Sequence, residues 1–138
     1  MRRHGLVAWP PWAVLAGAAL VVHFYGLYRP DSPPSIRWLP YSDKVEHAVG
    51  FGLPLLLVLL TLDQRARSRG RLLTAVPVLV TAGSFGAHAV VSELVQDIAY
   101  GNRTGDPRDV LADVIGVLLG LAAFGLLTRG GLLSRAPA

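Results

Sequence analysis

The stretch VEHAVGFGLPLLLVLLTL, residues 45–62, decides the fold class because it is an apolar run long enough to cross a lipid bilayer. A hydrocarbon core about 30 Å thick requires about 17–25 mostly apolar residues in a helix. Three other stretches are similar, so the four candidate spans are residues 6–28, 45–62, 72–91 and 110–128. None alternates apolar and polar residues as strands do. The sequence therefore predicts an all-α, four-helix transmembrane bundle.

The composition agrees with a membrane protein and excludes several other classes. The chain has 138 residues, of which 52% are apolar and 16% charged, a balance too apolar for a soluble domain of this size. We expect one membrane domain over residues 1–138, ending in a short tail at 129–138. The net charge of +4 is spread between apolar runs, so nucleic-acid binding is not predicted. Without cysteine, the chain has no disulfide, thiolate metal ligand or cysteine nucleophile.

The distribution of arginine and lysine predicts the orientation in the membrane. With four crossings, one side receives eight of the 13 Lys and Arg residues and the other side receives five. The richer side includes both termini and the hairpin RARSRGR, residues 65–71, so the positive-inside rule places both termini in the cytoplasm. The basic start MRRHG also resembles a signal peptide. The apolar run that follows is longer than a typical signal core and lacks a cleavage pattern, so we expect a retained helix.

Polar residues gather at the outward ends of three predicted helices. Asp43 and Lys44 each lie one helical turn from His47 at the start of the second helix. With a rise of about 1.5 Å per residue, the third and fourth helices bring further polar groups to the same depth. These are Glu93 and Gln96 on the third helix, Arg103 in the following loop, and Asp109 and Asp113 on the fourth helix. Ionisable groups at this depth are costly unless paired or hydrated, so we predict a shared polar pocket at the outer face.

Other interpretations of this layer stay open. It can be a salt-bridge network at the end of the bundle, without a further function. His47 and Glu93, together with Asp109 or Asp113, also offer ligands for a divalent metal. No HExxH-type spacing supports such a site, so neither a metal nor any other cofactor is predicted.

Two further features have alternative interpretations. GVLLG, residues 116–120, is a small-xxx-small pattern that permits close helix contact, either inside one chain or in a homo-oligomer. His23 lies in the first span, and His88 lies a little over one turn from Glu93. Both histidines are interpreted as structural.

Three segments together resemble the VanZ-like family of bacterial membrane proteins. They are SDKVEHAVGF at the second span, SELVQ at the end of the third, and NRTGDPRDVLADVIGVLLG leading into the fourth, so the resemblance covers residues 42–120. The family's characteristic polar residues fall on Asp43, Lys44, His47, Glu93, Gln96, Arg103 and Asp109. Asp113 stands where the family has asparagine. The resemblance implies a multi-pass protein of the bacterial cytoplasmic membrane and an association with low-level resistance to teicoplanin-type glycopeptides.

The sequence leaves an enzyme and a binding module as alternative functions. An enzyme would act on a cell-envelope lipid or a lipid-linked, phosphorylated intermediate, with His47 as acid or base. The catalytic set is then His47, Glu93, Asp109 and Asp113, and the substrate-binding set is Asp43, Lys44, Gln96 and Arg103. Within the second set, Lys44 and Arg103 are expected to hold a phosphate. A binding module would hold the same lipid without converting it.

The same residues argue against two other mechanisms. No serine or cysteine nucleophile accompanies the histidine, which disfavours covalent catalysis. An ion pathway is disfavoured because the charges stop near one interface instead of continuing across the membrane.

Overall fold

The computed structural model describes residues 11–29, 41–100 and 105–129, and every regular element in those ranges is an α-helix. The helices are α1 (Pro11–Tyr28), α2 (Ser42–Arg67), α3 (Ala75–Ala99) and α4 (Pro107–Arg129). Each is long and apolar enough to cross a membrane. The predicted all-α bundle of four membrane-length helices is therefore confirmed. The predicted start of the first span at residue 6 and the tail beyond residue 129 lie outside the described residues.

The outer surfaces of the bundle are apolar, as expected where lipid is the solvent. In the most apolar window of each helix, only 17% to 39% of the residues are buried inside the protein. Large exposed apolar side chains lie on all four helices, and examples are Val21, Leu53, Leu79 and Leu126. The buried core is correspondingly thin and centres on Phe51, Leu55 and Leu59 of α2. These features support a multi-pass membrane protein.

The helices alternate in direction, so that four helix ends meet. Gln96, near the end of α3, donates a hydrogen bond from Nε2 to the carbonyl of Leu27, near the end of α1, at 3.1 Å. Lys44, near the start of α2, contacts Asp109 in the first turn of α4. The short connection from α3 to α4 joins these two groups, and we call the shared region the polar end. The side of the membrane that it faces stays a prediction from the arginine distribution.

α2 and α4 pack backbone against backbone through small residues. A Cβ atom on Gly116 would overlap the carbonyl oxygen of Ala48. A Cβ on Gly52 would lie 2.6 Å from the carbonyl oxygen of Gly116, and one on Gly120 would lie 2.6 Å from that of Gly52. Only glycine fits such positions, and the small-xxx-small pattern of α4 is used inside the chain. Of the two alternatives for GVLLG, packing within one chain is therefore the arrangement observed.

The observed helices differ from the predicted spans at their ends. α2 and α3 continue past their apolar runs, to Arg67 and Ala99, because a helix need not stop where its apolar segment ends. α3 begins at Ala75 instead of residue 72, which places Pro77 in its first turn, where a proline is tolerated.

The start of α4 is fixed by a cap. α4 begins at Pro107 instead of residue 110. The Oδ1 atom of Asp106 accepts a hydrogen bond from the backbone amide of Arg108 at 2.9 Å. An aspartate cap followed by proline at the first helical position is a favourable helix start. This extension brings Asp109 into the first turn of α4, at the polar end.

Candidate functional site

Lys44 connects three carboxylates at the polar end. Its Nζ atom donates to Oδ1 of Asp109 at 2.5 Å and to Oδ2 of Asp106 at 2.9 Å, and it lies 3.1 Å from Oδ2 of Asp43. An ammonium group has three N–H donors, so these contacts occupy all of them. Lys44 thus ties the start of α2 to the start of α4. Phosphate binding by Lys44 stays a prediction, and this geometry favours a structural role for it.

Asp106 links three helices from its position just before α4. The hydrogen bonds from Lys44 and from the Arg108 amide hold the pKa of Asp106 below its usual value. Its own backbone amide donates to Oε2 of Glu93 in α3 at 3.0 Å. Asp106 is not among the site residues predicted from the sequence. The Asp-Pro pair at the start of a predicted helix is the signal that could have identified it.

His47 of α2 lies between two aspartates of α4. Its Nδ1 atom is 2.9 Å from Oδ1 of Asp113, and its Nε2 atom is 3.7 Å from Oδ1 of Asp109. Asp113 is completely buried, and 13% of the His47 side chain is exposed. An ionised carboxylate can only accept hydrogen bonds, so Nδ1 is the donor in this pair when Asp113 is ionised. The bond orients the imidazole ring and leaves Nε2 on the side of Asp109.

Glu93 of α3 lies against the same pair. Its Oε2 atom accepts the Asp106 amide, whereas Oε1 is buried and has no hydrogen-bond partner among the described residues. The Oδ2 atom of Asp113 is likewise buried and has no hydrogen-bond partner among the described residues. His47, Glu93 and Asp113 each offer one ligand atom, and these atoms lie within 4.8 Å of one another. Within residues 11–29, 41–100 and 105–129, these three side chains are the group that could hold a metal ion.

The other predicted binding residues have different surroundings. Gln96 is buried, and its bond to the carbonyl of Leu27 holds α3 against α1. Asp43 is exposed and pairs with Lys44. Arg103 lies outside the described residues. The structure thus brings together the four residues of the predicted catalytic set. With the two residues that hold them, they form the polar cluster, which consists of Lys44, His47, Glu93, Asp106, Asp109 and Asp113.

A groove with a volume of about 770 Å³ leads from the polar cluster along α1 and α2. It extends from Arg29 at the polar end to Ala18, a distance of about 16 Å along α1. Its polar lining consists of His23, which lies between the two ends, and of Arg29, Asp43, Glu46, His47 and Asp109 at the polar end. Its apolar lining includes Ala18, Ala19, Val22, Val49, Leu53 and Pro54. Val22 and Leu53 are 70% and 48% exposed, so the groove opens toward the lipid-facing surface. The groove was not predicted from the sequence.

A cluster of aromatic rings accounts for the two remaining histidines. The ring of His23 packs edge-on against Phe51 with 4.6 Å between centroids, and its centroid lies 5.3 Å from that of His88. Pro54 has no N–H group, so the carbonyl of Gly50 lacks its usual helical donor. Gly50 lies against the His23 ring. Both histidines therefore pack among rings, in line with the structural role expected for them.

No protein-family model matches the chain, and no curated protein or solved structure matches it. The resemblance to the VanZ-like family therefore stays a prediction from the sequence motifs. The function has to be argued from the geometry of this chain.

Proposed function

We propose that the protein is a VanZ-like protein of the bacterial cytoplasmic membrane that binds a cell-envelope lipid or lipid-linked intermediate at its outward-facing end. The groove between α1 and α2 carries this proposal, because it joins an apolar passage to the polar cluster. An amphiphile meets matching chemistry at both ends of such a site. The hydrocarbon chain lies against Ala18, Val22 and Leu53, and the headgroup reaches His47 and Asp109.

The lining of the groove supports an occupant supplied by the membrane. Small residues on α1 leave space for a hydrocarbon chain, and a Cβ atom added to Gly26 would meet no other atom within 4 Å. Exposed apolar side chains at the rim allow a lipid to enter sideways from the bilayer without crossing water. The charged residues of the lining lie at one end only, which matches a molecule with one headgroup.

His47 supplies the chemistry available at the headgroup. An imidazole oriented by a carboxylate is suited to proton transfer near neutral pH. Ser92, which lies next to Glu93, donates its hydroxyl hydrogen bond to the carbonyl of Ala89 at 3.0 Å within its own helix. Conversion of the bound lipid, if the protein is an enzyme, therefore proceeds by acid–base chemistry at His47. A link to teicoplanin-type resistance is part of the proposal through the family resemblance alone.

Native mass spectrometry of the purified full chain, incubated with a bacterial lipid extract, tests the proposal. The variant Gly26→Leu adds a side chain to the lining of the groove, at a position where the new Cβ atom meets no other atom within 4 Å. Gly83→Leu is the matched control, because Gly83 is exposed on α3, has no neighbouring atom within 4 Å and does not line the groove. We expect wild type and Gly83→Leu to retain the same lipid, and Gly26→Leu to retain at least tenfold less.

Equal retention by all three proteins would refute the groove as the binding site. The same spectra separate the two functional classes. A product mass that forms with wild type but not with His47→Ala identifies an enzyme. Lipids that stay unchanged while their headgroup-selective retention is lost in His47→Ala identify a binding module.

A further inference from the structure

The polar cluster holds more buried acid than its own cations neutralise. Lys44 is fully occupied by Asp43, Asp106 and Asp109. The remaining acids, Asp113 and Glu93, share a single histidine, since the hydrogen bond that Glu93 accepts within the described residues comes from a neutral backbone amide. Within residues 11–29, 41–100 and 105–129, this part of the cluster therefore lacks a second cation.

Two carboxylate oxygens in the cluster are buried without a hydrogen-bond partner among the described residues. The residues that carry them, Glu93 and Asp113, are 5% and 0% exposed. Neither Oε1 of Glu93 nor Oδ2 of Asp113 has a hydrogen-bond partner among the described residues. A buried carboxylate oxygen without a partner is costly, and more so near hydrocarbon. A bound cation would satisfy both oxygens at once.

We propose that His47, Glu93 and Asp113 bind a divalent cation, Zn²⁺ or Mn²⁺, and that this ion contacts the phosphate of the bound lipid. Their ligand atoms lie within 4.8 Å of one another. Tetrahedral ligands of one ion at about 2.1 Å lie about 3.4 Å apart, so the widest pair has to close by up to about 1.4 Å when the ion binds. One imidazole with two carboxylates suits these two ions. The ion displaces the proton shared by His47 and Asp113, which is released to solvent.

The phosphate contact rests on the proposed lipid-binding function, and it follows from the charges around the groove. The described lining of the polar end carries one cation, Arg29, against three acids, Asp43, Glu46 and Asp109, so an anionic headgroup would meet net repulsion there. Lys44 cannot compensate, because its donors are already used. A divalent ion with three protein ligands keeps coordination positions open for phosphate oxygens. The ion, instead of Lys44, then selects the headgroup.

Ion binding is tested first and without lipid. The purified full chain is stripped with a chelator, and Zn²⁺ and Mn²⁺ are added separately during isothermal titration, with the bound metal counted by elemental analysis. We expect one ion per chain in wild type and at least tenfold weaker binding in Glu93→Gln and Asp113→Asn. Asp97→Asn is the control, because Asp97 is an exposed acid on the same helix as Glu93, outside both the ligand set and the groove, and its loss should leave ion affinity unchanged.

Misfolding of a variant is detected by circular dichroism and size-exclusion chromatography, and the visible spectrum of bound Co²⁺ provides a second readout. Loss of the Co²⁺ bands in His47→Ala supports histidine ligation. Absence of a stoichiometric ion in wild type, or equal affinity in wild type and Glu93→Gln, overturns the site.

The lipid step is tested by measuring phospholipid retention before and after chelation. We expect retention to fall at least tenfold on chelation and to return with the ion. If the ion binds but retention does not change, the phosphate contact is wrong. If no ion binds while Gly26→Leu still loses lipid, the metal proposal fails and the lipid-binding function stands.

Discussion

The Nδ1 atom of His47 and the Oδ1 atom of Asp113 lie 2.9 Å apart, although 66 positions separate the two residues in the chain. The contact joins α2 to α4 one turn from Gly116, where the two backbones touch. Asp113 is completely buried, so its carboxylate depends on this donor. The pair therefore links the orientation of the imidazole ring to the packing of the two central helices.

Replacing Asp113 should separate the effects of the hydrogen bond and of the charge. Asp113→Ala leaves Nδ1 of His47 without its acceptor and should lower the free energy of unfolding by about 3 kcal/mol. Asp113→Asn keeps an amide oxygen at the same place, so we expect less than about half of that loss. Unfolding in mixed micelles with increasing denaturing detergent measures both values. Equal losses in the two variants would mean that the hydrogen bond contributes little.

Removal of the Lys44 ammonium group should destabilise the polar end, because the carboxylates that it now pairs with would repel one another. Lys44→Met retains most of the side-chain volume but leaves Asp106 and Asp109 without their shared cation, at a cost of about 2 kcal/mol. Adding Asp109→Asn to this variant removes one of the repelling charges and should restore part of the stability. Thermal unfolding of the single and double variants tests the prediction. A double variant less stable than Lys44→Met would contradict it.

Acidification should reveal how much the ionised Asp106 carboxylate contributes to the stability of the folded protein. Its pKa in the folded protein is held below the ordinary value of about 3.9 by the hydrogen bonds from Lys44 and the Arg108 amide. A lowered pKa in the folded state stabilises the protein fully above the unfolded pKa, and this contribution is lost as the pH falls through the folded pKa. Asp106→Asn keeps a cap acceptor and removes the charge. The unfolding temperature of wild type should exceed that of Asp106→Asn at pH near 7, and the difference should shrink as the pH falls below the unfolded pKa of about 3.9.

The comparison of the two proteins removes the effect of other carboxylates, because these titrate in both. A difference in unfolding temperature that grows on acidification would contradict the assigned role of Asp106.

The fold was predictable because lipid imposes a simple rule on sequence. Each run of apolar residues long enough to cross the membrane became a helix, and the same rule identified all four. The ends were less predictable because they depend on local chemistry and on neighbours. α3 continues to Ala99 through Glu93 and Gln96, which hydropathy alone would exclude and which contacts with other segments hold in place.

The depth of the polar residues was predictable, and their pairing was not. Helical rise alone places His47, Glu93 and Asp113 near one level. Which acid meets which cation depends on how far each helix rotates about its axis, and this is set by the glycine contact between α2 and α4. The spread of Lys44 over three acids and the groove beside α1 therefore required the structure.

Single cysteines should report the orientation in the membrane, since the native chain contains none. Ser68→Cys lies in the turn between α2 and α3, and Tyr41→Cys lies at the opposite end of α2; both positions are exposed. If the termini are cytoplasmic, a membrane-impermeant maleimide should label Tyr41→Cys in cells with a permeabilised outer envelope. Ser68→Cys should react only after the cytoplasmic membrane is opened. The reverse pattern would place the polar end in the cytoplasm.

Addition of one methyl group at the contact between α2 and α4 should disturb both stability and the site. Gly116→Ala places a Cβ atom on the carbonyl oxygen of Ala48, so the helices must move apart, at a cost of about 2–3 kcal/mol. Because Asp113 lies one turn away, the separation should also lengthen its bond to His47 and reduce lipid retention.

Gly125→Ala is the matched control on the same helix, with no other atom within 4 Å of the added group. It should be neutral or stabilise the helix by up to about 1 kcal/mol. Detergent-induced unfolding and lipid retention, measured on both variants, check the prediction, and similar values for the two would show that α2 and α4 do not depend on this close approach.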